Sequence, residues 1–314
     1  MPEKTALFKE IVELEKKVDA TRLPPELKEK CLRLVERLSR MIKHGEYSTE
    51  YERVAHYVDW ITALPWDKRS KDRLDLKAAK VILDRNHYGL EETKERILEY
   101  MAVLKLKKMK KEGNKAPKEE GIMKFMRAPM LLFVGLVGTG KTTIAYSIAE
   151  AMERKFARVP FGGLGDPLDL RGQSRIRPDA EPGLIIKALR RTGTKNPVVL
   201  LDEIDRVTSE GRASIMGVLV ELLDPEQNMA FRDHYVDYSI DLSEVLFIAT
   251  CNNISNISVA VMDRLEQFKC LLILMRKRLR LVRILFCREQ CKKRAWTKRR
   301  LKLMPLFGLK LFVL

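Results

Sequence analysis

The segment Gly135–Thr142, which reads GLVGTGKT, constrains the fold more than any other part of this sequence. It follows the apolar run LLFV and precedes TIAYSIAEAM, whose composition favours a helix. A strand that enters a helix through a glycine-rich turn is typical of α/β proteins with a parallel sheet. The glycines let successive backbone N–H groups point into one concavity, and the helix N-terminus adds partial positive charge. Such a turn is suited to phosphate oxygens.

This turn predicts an ATP site with a magnesium ion. Lys141 would reach the β and γ phosphates, and the Thr142 hydroxyl would bind Mg²⁺. The predicted nucleotide-binding residues of the turn are Gly135, Leu136, Val137, Gly138, Thr139, Gly140, Lys141, Thr142 and Thr143. The alternative is an ordinary glycine-rich turn without a ligand.

Two acidic residues, Asp202 and Glu203, end a second apolar run, Val198–Leu201. A parallel sheet would bring the end of this run beside the phosphates. Asp202 would then hold Mg²⁺ through water, and Glu203 would act as general base on the attacking water. The alternative is a strand that ends in solvated acids.

A third apolar run, Val245–Thr250, leads to Asn252 and Asn253. An amide at this strand end would orient the hydrolytic water, although an Asn pair is also typical of a plain turn. Arg264 follows twelve residues after Asn252. It would reach the γ-phosphate of a neighbouring copy as an arginine finger, which implies a ring, or else it is a surface arginine in a salt bridge.

The pattern along the chain predicts an α/β P-loop fold, with a parallel sheet flanked by helices, after an all-α unit. Apolar stripes at helical spacing fill the first hundred residues, whereas strands alternate with helices after residue 130. The predicted parts are a helical unit at 1–110, a lysine-rich linker at 105–120, the α/β ATPase subdomain at 121–266 and a basic tail at 267–314.

The net charge of +17 is concentrated in the tail, which carries fifteen Lys and Arg and one acid. The rest of the chain is nearly neutral, so nucleic acid is not an expected partner. No apolar run approaches the roughly 18–20 residues that span a bilayer, so no transmembrane segment is expected. Five cysteines at irregular spacing give no disulfide framework, which predicts an intracellular, reducing compartment.

Three interpretations of the tail compete. It would be a basic helix on a membrane surface, a nucleic-acid-binding arm around Trp296, or a segment translated out of frame or from an intron. The composition changes abruptly near residue 267, which favours the last interpretation and predicts a poorly packed tail.

The order of these motifs is similar to that of AAA+ ATPases, and several segments resemble the Lon family of ATP-dependent proteases. The segments are 57–66 (YVDWITALPW), 86–98 (NHYGLEETKERIL), 196–205 (NPVVLLDEID) and 220–242 (VELLDPEQNMAFRDHYVDYSIDL). The resemblance covers about residues 1–266. The stretch from Glu181 to Leu189 is most similar to the peroxisomal branch of the family.

The resemblance implies a homohexameric ring that unfolds polypeptide substrates and threads them into a proteolytic chamber, in a mitochondrial or peroxisomal matrix. It implies that Tyr88 and Gly89 lie near the adenine. It also implies the Walker B role for Asp202 and Glu203, the sensor role for Asn252 and the arginine-finger role for Arg264.

Departures from the family pattern qualify these expectations. The turn reads GLVG where the family usually has GPPG, and the pore-loop segment with Arg175, Arg177 and Pro178 lacks an aromatic residue, so it should grip peptide poorly. The resemblance stops before the family's peptidase domain with its Ser–Lys dyad. We therefore expect the ATPase module of a Lon-type protease. The alternatives are a non-catalytic fragment or interaction module and, disfavoured by the neutral core, a DNA-handling motor.

Overall fold

The computed structural model describes residues 2–43, 49–87, 89–111, 130–177 and 179–270. Helices make up the first part, and strands alternate with helices in the second. The first helices are α1 (Pro2–Ala20), α2 (Pro25–Lys43), α3 (Thr49–Ala63), α4 (Leu76–Asn86) and α5 (Glu91–Lys111).

The second part contains the strands and shorter helices. The strands are β1 (Met130–Val134), β2 (Phe156–Pro160), β3 (Val198–Asp202), β4 (Phe231–Asp233), β5 (Tyr238–Ile240), β6 (Leu246–Cys251) and β7 (Leu265–Lys269). The helices are α6 (Lys141–Met152), α7 (Leu168–Arg171), α8 (Leu184–Thr192), α9 (Arg212–Leu223) and α10 (Val259–Met262). Single 3₁₀ turns lie at Ile204–Arg206, Asn228–Ala230 and Ile254–Asn256.

Five strands of the described chain form one parallel sheet in the order β2-β3-β6-β1-β7. Strands β3 and β6 are buried along their whole length, as is usual for central strands that are covered on both faces. Because all five strands run in one direction, their carboxyl ends share one edge of the sheet. The turn after β1 and the ends of β6 and β3 therefore follow one another along that edge.

Alternate residues of each strand enter different hydrophobic cores, since successive side chains point to opposite faces. On one face Leu132, Leu201 and Phe247 share a core with residues of α1, α2, α3 and α9. On the other face Phe133 and Leu200 share a core with residues of α4, α5 and α6. The helices that precede β1 thus cover both faces of the sheet.

Helices α2 and α3 contact the β4–β5 hairpin through hydrogen bonds and an ion pair. The Tyr57 hydroxyl donates to the Val236 carbonyl at 3.1 Å, and His56 Nδ1 lies 2.9 Å from the Tyr235 hydroxyl. Lys30 Nζ lies 2.6 Å from Asp237 Oδ2. Hydrogen bonds from Arg232 and from Lys30 lower the pKa of Asp237 to about 2.

The predicted α/β class, with a parallel sheet and a preceding helical region, is confirmed. Strands β2, β4, β5 and β7 are absent from the sequence-based expectation. Strands β4 and β5 have only three residues each, and charged residues interrupt the apolar pattern of β2 and β7. None of the helices in the described ranges has both the length and the hydropathy of a membrane-spanning segment.

The domain boundaries drawn from the sequence stay predictions. Helix α5 extends to Lys111, into the predicted linker, and the predicted boundary at residue 266 falls within β7. Residues 112–129 and the tail from residue 271 lie outside the described residues, and so does the predicted packing of that tail.

Candidate functional site

The turn after β1 has the backbone conformation that its glycines permit. Gly138 and Gly140 have φ angles of +80° and +90°, which side chains rarely allow. Helix α6 begins directly after Gly140. The side chains of Leu136 and Val137 are 59% and 68% exposed, so the turn is an open loop at the edge of the sheet.

Gly135 is confined between the ends of the two strands that flank β1. Its N–H donates to the Cys251 carbonyl at 3.1 Å, and a Cβ atom added to it would lie 2.5 Å from the Cys270 carbonyl oxygen. Since that oxygen belongs to the backbone, only glycine fits here without displacement of β7.

Cys251 and Cys270, the two cysteines beside Gly135, are expected to be unreactive. Burial raises the pKa of Cys251 to about 12 and that of Cys270 to about 11. A thiol that stays protonated is a poor nucleophile. Both cysteines therefore act as packing residues next to the loop.

Lys141 joins the loop to the neighbouring strand β6. Its side chain is largely buried, at 8% exposure. The ammonium group donates to the Gly135 and Leu136 carbonyls, at 2.5 and 3.1 Å, and to Asn252 Oδ1 at 2.9 Å. The predicted phosphate-binding lysine and the predicted sensor amide are thus in direct contact.

Asp202 is fixed at the end of β3 by contacts to both neighbouring strands. It is 4% exposed. Thr250 of β6 donates its hydroxyl to Asp202 Oδ1, and the same hydroxyl accepts from the backbone N–H of Glu203 at 2.9 Å. Arg158 of β2 forms an ion pair with Asp202 Oδ2. The carboxylate therefore has little freedom to turn.

Glu203 has an unusual backbone conformation. Its φ angle is +59°, a left-handed conformation that costs a residue with a side chain on the order of 1–3 kcal/mol. The turn directs the side chain toward solvent, where it is 30% exposed and lies 3.4 Å from Arg206 Nη1. A carboxylate in contact with water is a suitable general base.

Asp205 holds the backbone after β6 in place. The Asp205 carboxylate accepts from the N–H groups of both Asn252 and Asn253, at 3.1 Å each. The side chains of the two asparagines have different partners. Asn253 accepts from Ser255 N, as in an ordinary turn, whereas the Asn252 side chain faces Lys141.

Arg264 makes its contacts away from the loop in this single chain. It forms an ion pair with Asp224 Oδ2 at 3.0 Å and donates to the Ala260 carbonyl at 2.8 Å. Its side chain remains 30% exposed. The salt bridge is the alternative that the sequence left open, and the arginine-finger role stays a prediction because it requires a second copy.

The turn between α4 and α5 is attached to the helix that follows the loop. Asn86 Nδ2 lies 3.0 Å and His87 Nε2 lies 2.9 Å from the Ser147 hydroxyl of α6. Gly89 has a φ angle of +71°, and Tyr88 lies outside the described residues. The predicted contact of this turn with adenine stays a prediction.

The predicted pore-loop segment is anchored at one end. The guanidinium of Arg175 lies 3.9 Å above the ring of Tyr57 in α3. Ile176 is 87% exposed, and Pro178 lies outside the described residues. An exposed aliphatic residue thus stands beside Arg177 in this segment.

The oxygen groups at the loop suit magnesium. Within the described ranges, no group of three or more His, Cys, Asp or Glu residues could hold a metal ion on its own. Mg²⁺ commonly takes one or two protein oxygens and completes its shell with phosphates and water. The Thr142 hydroxyl and the Asp202 carboxylate are donors of this kind, so the site fits Mg²⁺ that arrives with a nucleotide.

Comparison with known proteins agrees with this arrangement. Residues 131–271 match the ATPase family associated with various cellular activities (AAA). The chain is 46% identical over 257 residues to Lon protease 2 of Thermus thermophilus. The aligned region covers 82% of this chain and 31% of the relative. This chain belongs to the Lon family of AAA ATPases. The Lon protease of Heliobacterium modesticaldum is 44% identical, with 81% of this chain and 29% of the relative covered.

The family expected from the sequence is therefore confirmed, and the chain carries a Lon-type AAA ATPase domain, a class of domain that implies nucleotide binding. Lon protease 1 of Bacillus subtilis is a further relative, 42% identical over 82% of this chain. The chain spans about 30% of the length of these curated relatives. All three are bacterial, and they lend no support to the expectation of a mitochondrial or peroxisomal matrix.

Three residues of the Lon-type site, Arg158, Asp205 and Thr250, are missing from the sequence-based expectation. Each contacts a residue on a neighbouring strand or directly after it, so these contacts form only when β2, β3 and β6 pair with one another. The one signal in the sequence is a polar Thr250 within the otherwise apolar run LFIATC.

Replacing Thr250 by valine should lower the free energy of unfolding by about 1–3 kcal/mol, because the Asp202 carboxylate and the Glu203 N–H each lose a buried partner. Valine has nearly the same shape, so packing is kept. Urea unfolding measures the change. Thr62→Val, which removes a hydroxyl that bonds within its own helix, should change stability by less than about 0.5 kcal/mol. Equal losses in the two variants would contradict the assigned contacts of Thr250.

Proposed function

We propose that this chain binds Mg·ATP and hydrolyses it as the motor module of a Lon-type protease. The observation that carries the proposal is the 2.9 Å contact of Lys141 Nζ with Asn252 Oδ1. It joins the phosphate loop after β1 to the end of β6, whose other neighbour, β3, ends at Asp202 and is followed by Glu203. One bound triphosphate could then meet all of these groups.

Each group has a distinct task in the proposed reaction. The loop N–H groups and Lys141 bind the phosphates. Thr142 and Asp202 would hold Mg²⁺, which would supply positive charge to the phosphate oxygens. Glu203 accepts a proton from the attacking water, and Asn252 orients that water. The turn with Tyr88 and Gly89 contacts the adenine.

We further propose that the module works as a homohexameric ring on polypeptide substrates. The relatives are Lon proteases by name, which supports a role in protein degradation. Arg264 is 30% exposed, so it would exchange its salt bridge for the γ-phosphate of a neighbouring copy. An intracellular, reducing compartment is proposed because Cys31, Cys251 and Cys270 are free thiols in this structure.

Nucleotide binding and phosphate release test the proposal. The wild-type chain should bind ATP and release phosphate in a Mg²⁺-dependent manner. Lys141→Met should weaken ATP binding roughly ten- to a hundredfold, because a charge-assisted hydrogen bond to phosphate is lost. Isothermal titration calorimetry and a phosphate-release assay measure the two quantities.

Lys77→Met is the matched control, since Lys77 is exposed on α4 and loses the same charge. It should bind ATP like the wild type. The proposal would be contradicted if the wild type failed to bind ATP, or if Lys141→Met and Lys77→Met bound it equally well.

A further inference from the structure

Arg158 lies beside the carboxylate that the proposed mechanism assigns to magnesium. It is the central residue of β2, and its side chain is 55% exposed. The guanidinium Nε and Nη2 atoms lie 2.7 and 2.6 Å from Asp202 Oδ2. The contact follows from strand register, because Arg158 pairs with Leu200 and Asp202 is two residues further along the same face of β3.

Both oxygens of Asp202 are bonded to protein groups in this structure. Oδ2 is held by Arg158, and Oδ1 is held by the hydroxyl of Thr250. Mg²⁺ would therefore have to compete with one of these groups for Asp202, whether it binds the carboxylate directly or through a water molecule.

The two competitors differ in how readily they can leave. Thr250 is fully buried, and its hydroxyl also accepts from Glu203 N. If it turned away, two buried polar groups would lose a partner, which is unfavourable. Arg158 is more than half exposed, so its guanidinium can move into water with little loss.

We propose that Arg158 is a positioning residue that holds Asp202 by its outer oxygen and is displaced when Mg²⁺ binds with nucleotide. The inference depends on the proposed nucleotide site and deepens it. Arg158 then sets how strongly Mg²⁺ tightens nucleotide binding, because part of the metal's affinity is used to displace the guanidinium. By linkage, Mg²⁺ weakens the Arg158–Asp202 contact to the same extent.

The test is the affinity for ADP with and without Mg²⁺, which does not depend on turnover. Calorimetry gives the dissociation constant in Mg²⁺ and in EDTA, and the ratio of the two measures the metal's contribution. In Arg158→Met this contribution should rise about two- to fivefold, the range in which an exposed ion pair changes an equilibrium constant. Arg158→Lys keeps the charge but loses the planar fork, so the metal's contribution should rise less in this variant. If Arg158→Met does not fold, the rise in Arg158→Lys tests the inference instead.

Arg191→Met separates this contact from a general effect of charge. Arg191 is exposed on α8 and donates to the Arg158 backbone carbonyl at 3.0 Å, so it lies close by without pairing with Asp202. Its removal should leave the ratio of dissociation constants unchanged. An unchanged ratio in Arg158→Met, or an equal rise in Arg191→Met, would overturn the inference.

The outcomes also separate this inference from the proposed function. ADP binding by the wild type that is weakened by Lys141→Met supports the nucleotide site, whatever Arg158→Met does. Absence of ADP binding by the wild type in both buffers would overturn the nucleotide site and the role of Arg158 together.

Discussion

Glu203→Gln should lower ATP turnover about 10²–10⁴-fold, the range that a positioned general base contributes. An amide cannot accept the proton of the attacking water. The substitution keeps the shape of the side chain, and the backbone at this position remains held by the Thr250 hydroxyl. ATP affinity should therefore stay within about twofold of the wild type, since only the transition state loses an interaction. Phosphate release under saturating Mg·ATP and calorimetry with ATP measure the two effects.

Glu210→Gln is the matched control for this prediction. Glu210 is exposed in the connection between β3 and α9, so the variant carries the same change of charge at a short distance along the chain. Its turnover should equal that of the wild type. A Glu203→Gln variant with unchanged turnover would remove Glu203 from the mechanism, and a variant that lost binding and turnover in proportion would give it a role in binding instead.

Asp233→Ala should lower the free energy of unfolding more than Thr250→Val does. Asp233 is fully buried at the end of β4. Its carboxylate accepts from the N–H groups of Gly183, Tyr235 and Val236, at 2.8, 2.9 and 3.0 Å. Each buried N–H that loses its partner costs about 1–3 kcal/mol, so the free energy of unfolding should fall by about 3 kcal/mol or more. Urea unfolding followed by circular dichroism measures the difference.

Two further variants isolate the hydrogen bonds of Asp233 from its size and charge. Asp233→Asn retains one acceptor oxygen, which can serve two of the three N–H groups, so its loss of stability should be smaller than that of Asp233→Ala. Asp169→Ala, at an exposed position in α7, should change stability by less than about 0.5 kcal/mol. Losses of similar size in Asp233→Ala and Asp169→Ala would contradict the structural role of Asp233.

The sheet's centre was predictable because its sequence signals are local. The run that forms β1, the glycine turn and α6 stand in one continuous stretch, and β3 and β6 are apolar runs that end in polar residues. The strand β2 was not predictable in this way. Its sequence, FARVP, has an arginine at the centre, and only its pairing with β3 explains why that arginine is there.

The arrangement of the N-terminal helices could not be read from their apolar stripes. Those stripes predict helices, but they do not say what the helices pack against. Residues of α3 and α4 enter different cores, on opposite faces of the sheet. This division depends on tertiary contacts such as those of Tyr57 with Val236 and Arg175.

In the candidate site, the positions of some residues were predictable because a motif of several adjacent residues marks them. A lysine after a glycine turn and acids at a strand end are of this kind, and Lys141 and Asp202 lie at the same edge of the sheet. Thr250 was not predictable, because a threonine in a strand is common. The chemical roles assigned to all of the site residues, from Lys141 and Asp202 to Asn252 and Arg264, stay predictions.

A crystal structure of Glu203→Gln with Mg²⁺ and ATP would test the central claim most directly. It should show the β and γ phosphates against the N–H groups of the loop 135–142, with Lys141 Nζ turned from Asn252 toward the phosphates. The magnesium ion should lie at the Thr142 hydroxyl, with Asp202 bound directly or through one water molecule. Nucleotide bound at another part of the chain, or a magnesium ion on the far side of the sheet from Asp202, would contradict the account.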